Sequence, residues 1–291
     1  MKKQLISMVL MAAMTVSMLT GCETADGKKT EAPSSENQAA AEVKAEDEGK
    51  ASEGGEDYSY HWKLATTESS DYYMTQLSQE FLDIVEEKTG GKVTGEVFAS
   101  GQLGGLVDAL EGLEMGNIDI VMDGVSSLSA VDDIFNVWCL PFLYDNKEHQ
   151  YRFWDNHFDE VSNMVAEQSG FRLVSVIDGM NRELASTVPV ESMADLKGLK
   201  IRVPNIPGYV RIWECLGAAP IPMSLSEVYT SIQTGVVQGQ ENDIALTLSL
   251  KFYEVAPYCV MTDHVAYEGS FYFNEEEYQS YPDELKQIIQ E

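Results

Sequence analysis

The sequence predicts a mixed α/β protein of two lobes, and three observations lead there. Beyond residue 57, runs with a two-residue apolar period alternate with runs whose apolar residues recur every three or four positions. That alternation occurs twice along the chain, as a sheet with helical crossovers requires. There is no repeat of fixed period that would indicate a solenoid. The 291 residues, 44% of them hydrophobic, suffice for one large or two moderate domains.

In chain order, Tyr60 to Thr66 alternates large apolar residues with others and reads as a strand. Ser69, Ser70 and Asp71 are candidate caps for a helix with Met74, Leu77, Phe81, Ile84 and Val85 on one face, stopped at Gly90. A strand over Val93 to Phe98 follows. "GQLGG", Gly101 to Gly105, then turns into a helix carrying Leu103, Leu106, Leu110 and Leu113, and Ile118 to Met122 is a short strand. The pattern resumes with strands over Phe171 to Ile177, Leu184 to Val188 and Leu199 to Val203, then a helix from about Gly208 to Leu216. In "MSLSEVYTSIQTG", Ser224 and Glu227 form a capping box and Gly235 ends the helix. "YPDELKQIIQE" begins an amphipathic helix without a C-cap before Glu291.

The first 57 residues belong to no lobe. Lys2 and Lys3 precede an apolar run from Leu5 to Met18, an export signal too short to span a bilayer comfortably. The next four residues, "LTGC", resemble a bacterial lipobox, which implies cleavage after residue 21 and a lipid on Cys22. Residues 23–57 contain 11 acidic and four basic residues and no aromatic one, so they read as an extended tether. The whole chain has 48 acidic and 19 basic side chains and a net charge of −29. Nucleic acid is excluded as a partner, since phosphate binding needs clustered Lys and Arg. Cys139, Cys215 and Cys259 are odd in number and lack metal spacing, so they read as buried unpaired thiols, with one disulfide among them, of no selected pair, as the alternative in an exported protein.

Enzyme patterns fail one after another. The chain has no Gly-x-Ser-x-Gly elbow, no phosphate-binding P-loop and no His-Glu-x-x-His helix. "KTG" at Lys88 to Gly90 sits where a helix ends, and the four histidines are scattered. No cofactor and no metal is called for. Polar residues near predicted strand ends remain: Arg182 in "GMNRELAST", Arg202 in "LKGLKIRVPN" and Asn242 in "QGQEND". The two arginines fall in strands expected to be neighbours. Alternation in Leu199 to Val203 describes a half-buried strand, with Arg202 on the face opposite Ile201 and Val203. In open α/β sheets ligands bind beyond the strand ends, and a guanidinium matches a carboxylate with two parallel hydrogen bonds. The competing reading pairs both arginines with acids of the body.

Several longer runs then carry a family resemblance. "VEEKTGGKVTGEVFASGQLGG", "LPFLYDNKEH", "DLKGLKIRVPN", "LGAAPIPMSLSEVYTSIQTGVVQGQEND" and "KFYEV" together resemble the solute-binding proteins of TRAP transporters, the DctP-like family, from about Tyr58 to the end. The resemblance implies a two-lobed periplasmic-binding-protein-like fold, with a ligand cleft between lobes, hinge strands and a long connecting helix. It places lobe I at 58–179 plus about 268–291 and lobe II at 180–267, with the family's later helices beyond Glu291. It implies no enzymatic activity. Arg202 would grip the carboxylate of a small organic acid, with Arg182 and Asn242 as further contacts and Asn205 as their neighbour. The chain departs from the family in reading "GMNR" for Gly-x-Arg, and in carrying Gln238 and Asp243 where Asp and Pro are usual.

The partners so implied are the acid, a permease of small and large membrane subunits driven by an ion gradient, and the membrane through the lipid anchor. The chain would stand outside the cytoplasmic membrane. Glu68 and Tyr72, after the first strand, are expected to read ligand hydroxyls, which inclines the ligand toward a sugar acid such as a uronate. A C4-dicarboxylate, a sialic acid or a keto acid are the alternatives. A sensor lipoprotein serving a receptor kinase or chemoreceptor is the rival function.

Overall fold

The computed structural model describes residues 58–291; the export signal, Cys22 and the acidic tether lie outside the described residues. The elements of the first half are β1 (Tyr60–Ala65), α1 (Tyr73–Thr89), β2 (Val93–Phe98), α2 (Leu106–Glu114), β3 (Ile120–Gly124), α3 (Lys147–Ser169), β4 (Phe171–Leu173) and β5 (Ile177–Asp178). Then come β6 (Arg182–Ser186), β7 (Lys200–Val203), α4 (Pro207–Cys215), β8 (Ala219–Pro222), α5 (Val228–Gln233), β9 (Gly239–Asp243), α6 (Ile244–Ser249) and β10 (Tyr258–Val265). β11 (Glu268–Asn274), α7 (Glu275–Ser280) and α8 (Asp283–Gln290) close the chain.

Two sheets result. The first has the order β2-β1-β3-β11-β4, with β5 also paired to β11; the second has the order β10-β6-β9-β7-β8. β1 runs parallel to β2 and β3, and β7 runs parallel to β8 and β9, while β11, β6 and β10 pair antiparallel. The chain leaves the first sheet after β5 and returns to it at β11, so extended segments make both crossings. The longest helix, α3 with 23 residues, packs on β4.

Each sheet is covered on both faces, the arrangement that parallel strands need. On the first sheet, Trp62 and Leu64 of β1 pack with Met74, Leu82 and Val85 of α1 and with Phe273. On its other face, Val121 and Tyr272 pack with Leu110, Leu113 and Trp154 of α2 and α3. On the second sheet, Ile201 and Val203 meet Tyr209, Ile212 and Trp213 of α4, while Ala185 meets Val228 and Ile232 of α5. α1 stops at Gly90, whose φ of 64° is the left-handed conformation that glycine adopts without strain.

Four local expectations are corrected. The α1 N-cap is Tyr72, with no side-chain cap, and the hydroxyl of Ser69 instead donates to Ser249 at 3.1 Å. Tyr72 is buried in the core, and that packing outweighs the local cap signal. The strand expected over Phe171 to Ile177 is broken into β4 and β5. β7 is buried on both faces, because it lies inside its sheet with the cavity described below on the side where Arg202 stands. The three cysteines among the described residues are unpaired there, but only Cys139 is buried; Cys215 and Cys259 are exposed.

Glu268 opens β11 directly after the second crossing, and it is buried with Oε1 accepting from Trp154 Nε1 at 3.3 Å. Burial raises its pKa to about 7, against the Trp154 hydrogen bond and the more distant charge of Lys147. A carboxyl raised in the folded state favours folding at low pH, and that contribution is lost as pH rises from about 4.5 through about 7. Glu268→Gln is therefore expected to be more stable than the unchanged protein at pH 8, by up to about 3 kcal/mol, and to match it near pH 4.5. Urea denaturation across that range measures the difference, and a pH-independent difference would contradict the assignment.

Candidate functional site

Strand direction builds the site. Glu68, Ser100 and Asp123 lie at or just beyond the C-terminal ends of β1, β2 and β3, and Arg202, Met223 and Asn242 occupy the corresponding ends of β7, β8 and β9. All six line one cavity, with about 110 Å³ of water-accessible space, between the two sheets. The N-termini of α2 and α4 approach it through Gly105, Leu106 and Ile206, and helix N-termini favour negative charge. Around it the halves are tied directly: Tyr209 donates to Ser126 Oγ at 2.9 Å and Tyr72 to Asp243 Oδ2 at 2.8 Å. Gly208 sits at the same junction, where a Cβ would stand 2.6 Å from Cys139.

The two arginines are not on neighbouring strands. β9 lies between β6 and β7, and it places Glu241 and Asn242 between them. Arg182 Nε donates to Glu241 Oε2 at 2.6 Å and Nη2 to Oε1 at 2.9 Å, a bidentate pair buried at both ends. Nη2 also donates to the Glu241 carbonyl and to Asn242 Oδ1. The rings of Tyr209 and Tyr267 flank the guanidinium at 4.8 and 5.6 Å. Burial disfavours the Arg182 cation, but Glu241 outweighs it and holds its pKa well above the usual value. Burial likewise opposes ionisation of Glu241, whose carboxyl is nonetheless kept low by Arg182 and by His264 at 3.3 Å. Only Nη1 of Arg182 is without a hydrogen-bond partner among the described residues.

Arg202 is different. It is 3% exposed, and its Nε and Nη2 donate to one carbonyl, Met223 O, at 3.0 and 2.8 Å. Among the described residues it forms no ion pair. The competing reading, in which acids of the body neutralise both arginines, thus holds for Arg182 and not for Arg202. Burial pushes the Arg202 pKa down to about 9; Glu241 acts against this and Arg182 adds to it. The bonded edge is the one between Nε and Nη2, so the Nη1–Nη2 edge is left for a planar anion.

The other expected residues separate into two groups. Asn205 is exposed at the cavity rim, and Asn242 lines the cavity with Nδ2 donating to Gln240 Oε1 at 2.8 Å. Glu68 lines it too and is buried, with Tyr267 donating to its Oε1 at 2.9 Å. Tyr72 does not line it, because its hydroxyl is committed to Asp243. Sequence reasoning passed over Asp123, Ser126, Tyr209 and Tyr267, which also line the cavity. The glycine-marked end of β3, "MDGVSS", is the signal that points to the first two. Among the described residues no group of three His, Cys, Asp or Glu is arranged to hold a metal, and no helix is long and apolar enough to cross a membrane.

Residues 64–291 match the DctP model, bacterial extracellular solute-binding protein, family 7. The chain belongs to this family. A solute-binding protein of Roseobacter denitrificans is 37% identical over 178 residues, 61% of this chain and 54% of that relative, so the chain spans about half its length. The crystal structure of that TRAP periplasmic protein with bound L-galactonate has a TM-score of 0.76 at 29% identity, covering 80% of this chain and 78% of that one. A TRAP periplasmic protein from Sulfitobacter with bound β-D-galacturonate scores 0.75 at 28% identity, covering 79% and 77%. One from Sulfurospirillum deleyianum with bound succinate scores 0.74 at 26%, covering 80% and 76%. The mixed α/β, two-lobed architecture is the one these family members share.

The buried pair makes a prediction about stability. Glu241→Gln leaves the Arg182 cation without its counter-charge and is expected to cost about 3 kcal/mol or more, since breaking a buried pair strands a desolvated charge. Urea unfolding at neutral pH measures this; a loss below about 1 kcal/mol would mean that Arg182 is neutralised elsewhere.

Proposed function

We propose that this chain is the extracytoplasmic solute-binding component of a TRAP-type transporter, capturing a small organic acid, with a sugar acid favoured, and delivering it to a permease of small and large membrane subunits. One observation carries the reading: Arg202 is buried, borders the cavity and lacks an acidic partner among the described residues. A desolvated guanidinium with an open edge is stabilised by an anion from outside, and a carboxylate matches that edge in shape. The L-galactonate and β-D-galacturonate bound by the Roseobacter and Sulfitobacter relatives support a sugar acid.

Each charge-assisted hydrogen bond contributes about 1.5–3 kcal/mol, so two from Arg202 provide a large part of the roughly 8 kcal/mol of a micromolar complex. Arg182 adds Nη1, and Asn242 and Asn205 offer further polar contacts. Tyr72 acts at one remove, by holding Asp243 in place. We assign lobe I to 58–179 with 268–291 and lobe II to 180–267, hinged where the chain crosses between the sheets. A ligand touching both lobes then favours the closed form, because only that form makes every contact. No reaction is assigned to the site. A lipid on Cys22 would keep the protein at the outer face of the membrane, beside the permease.

Arg202→Ala is expected to weaken binding by at least about 100-fold, since two charge-assisted bonds are lost. Without ligand, its melting temperature should stay level or rise, as the substitution removes an uncompensated buried charge. Titration calorimetry with D-galacturonate, L-galactonate and succinate, alongside thermal unfolding, tests both parts. Retention of the unchanged protein's affinity would defeat the assignment.

A further inference from the structure

His264 stands behind the Arg182–Glu241 pair, and a distortion of β10 puts it there. Val260 of β10 faces Leu184 of β6 whereas Val265 faces Arg182, so β10 bulges between them. Within the bulge Asp263 has a φ of 44°, in the left-handed region. Bulges re-aim side chains beside sites. This one turns His264 inward: it is 3% exposed, and of the four histidines it alone is buried. Its Nε2 lies 3.3 Å from Glu241 Oε2, the oxygen that accepts from Arg182 Nε at 2.6 Å. Its Nδ1 lies 2.8 Å from Thr262 Oγ1, which stands 3.4 Å from Glu183 Oε2 and 3.4 Å from the Arg182 carbonyl. The Asp263 N–H donates to the same Glu183 oxygen at 2.9 Å.

Against its burial, Arg182 holds Glu241 ionised, so His264 Nε2 must donate to it. Two states of the ring meet that demand. Neutral His264 accepts the Thr262 hydroxyl at Nδ1. Charged His264 donates there, and the hydroxyl turns to Glu183 or to the Arg182 carbonyl. Only one hydroxyl rotates between the two states, so a proton from solvent is accommodated without repacking. The groups around the ring are few. β9 presents Glu241, and β6 presents Arg182 beyond it and Glu183, whose carboxyl burial raises against the Asp263 N–H. α4 presents the Trp213 ring at 5.2 Å and Tyr209, whose phenol burial keeps protonated. Burial also pushes the nearby Cys139 thiol up to about 11, which keeps it neutral. Phe142 contributes its N–H to the His264 carbonyl at 3.0 Å.

Glu241 alone cancels the charge of Arg182. A second cation on the same carboxylate leaves one more positive charge behind a cavity that Arg182 and Arg202 border, in surroundings shielded from water. An anion in the cavity and a proton on His264 then stabilise each other, and such coupling is reciprocal. Histidine is the side chain that changes charge between pH 5 and 8. We propose that His264 couples capture of the acid to uptake of a proton, so that the protein binds its solute more tightly as the surrounding pH falls. This rests on the reading of the cavity as an anion site.

The test is calorimetric titration of the full chain with D-galacturonate, whose carboxylate stays ionised above about pH 5, in phosphate and in Tris. The two buffers differ in heat of ionisation, so the difference in binding heat counts protons taken up. Net uptake is expected near neutral pH, with affinity rising about fivefold between pH 8 and pH 6. His264→Gln places an uncharged donor where Nε2 stands and is expected to lose most of the uptake and of the pH dependence. No uptake by the unchanged chain overturns the proposal and leaves acid capture by Arg202 standing. Equal uptake by the variant also overturns it, because the proton then goes to buried carboxyls such as Glu68 and Asp123, both raised by burial. If D-galacturonate, L-galactonate and succinate all fail to bind, both readings fall. Should the variant not fold, ring-proton NMR of the unchanged chain decides: the signal of the buried histidine must move toward its charged position when D-galacturonate is added at pH 7, and a signal that stays in place defeats the coupling.

Discussion

Two guanidiniums border one small cavity, and only one of them is neutralised from within. That asymmetry organises the site. Arg182 and Glu241 form a bidentate pair out of contact with water, held between two tyrosine rings and backed by His264. In low dielectric such a pair is strong only when every remaining donor and acceptor is met, and here nearly all of them are. Because Glu241 is occupied in this way, it forms no ion pair with Arg202 on the adjoining strand β7. The pair is therefore a structural element that keeps the other charge available.

Topology explains why these groups meet at all. Parallel strands end on the same side of a sheet, and each sheet here turns that side toward the other. Residues that leave β1 and β3 thus face residues that leave β7 and β9, although a long stretch of chain separates them. The rule that ligands settle beyond the carboxyl ends of parallel strands is a consequence of this convergence, since loops there are free to carry polar groups while the strands behind them are packed.

Much of the scaffold was legible in the sequence, because short-range periodicity reports short-range packing. The alternation around Trp62 and Leu64, Met74 and Val85 of the α1 stripe, the stop at Gly90 and the Ser224–Glu227 box correspond to observed features, whereas Leu77 and Ile84 of that stripe are exposed and Leu82 is buried in their place. Strand order was not legible: nothing local says that β9 enters between β6 and β7, since pairing depends on the whole sheet. The polar partners of Glu68 were hidden for the same reason, as Tyr267 lies 199 residues away in sequence. Arg202 itself was visible as a charged residue at a strand end. Its lack of a counter-charge was not, because that is a property of every acid that might have reached it.

The acid-rich composition sharpens that last point. A chain with a net charge of −29 repels an anion at long range, although salt screens the effect beyond about 8 Å. It also supplies 48 carboxyl side chains able to quench any solvated arginine. A cation on the surface of such a protein would be neutralised before an acid from outside could reach it. Burial against the Met223 carbonyl avoids this, because a neutral acceptor fixes the guanidinium plane without cancelling its charge. On the function proposed above, attraction is then local, short in range and dependent on shape, and it acts on a solute that has already entered the cleft.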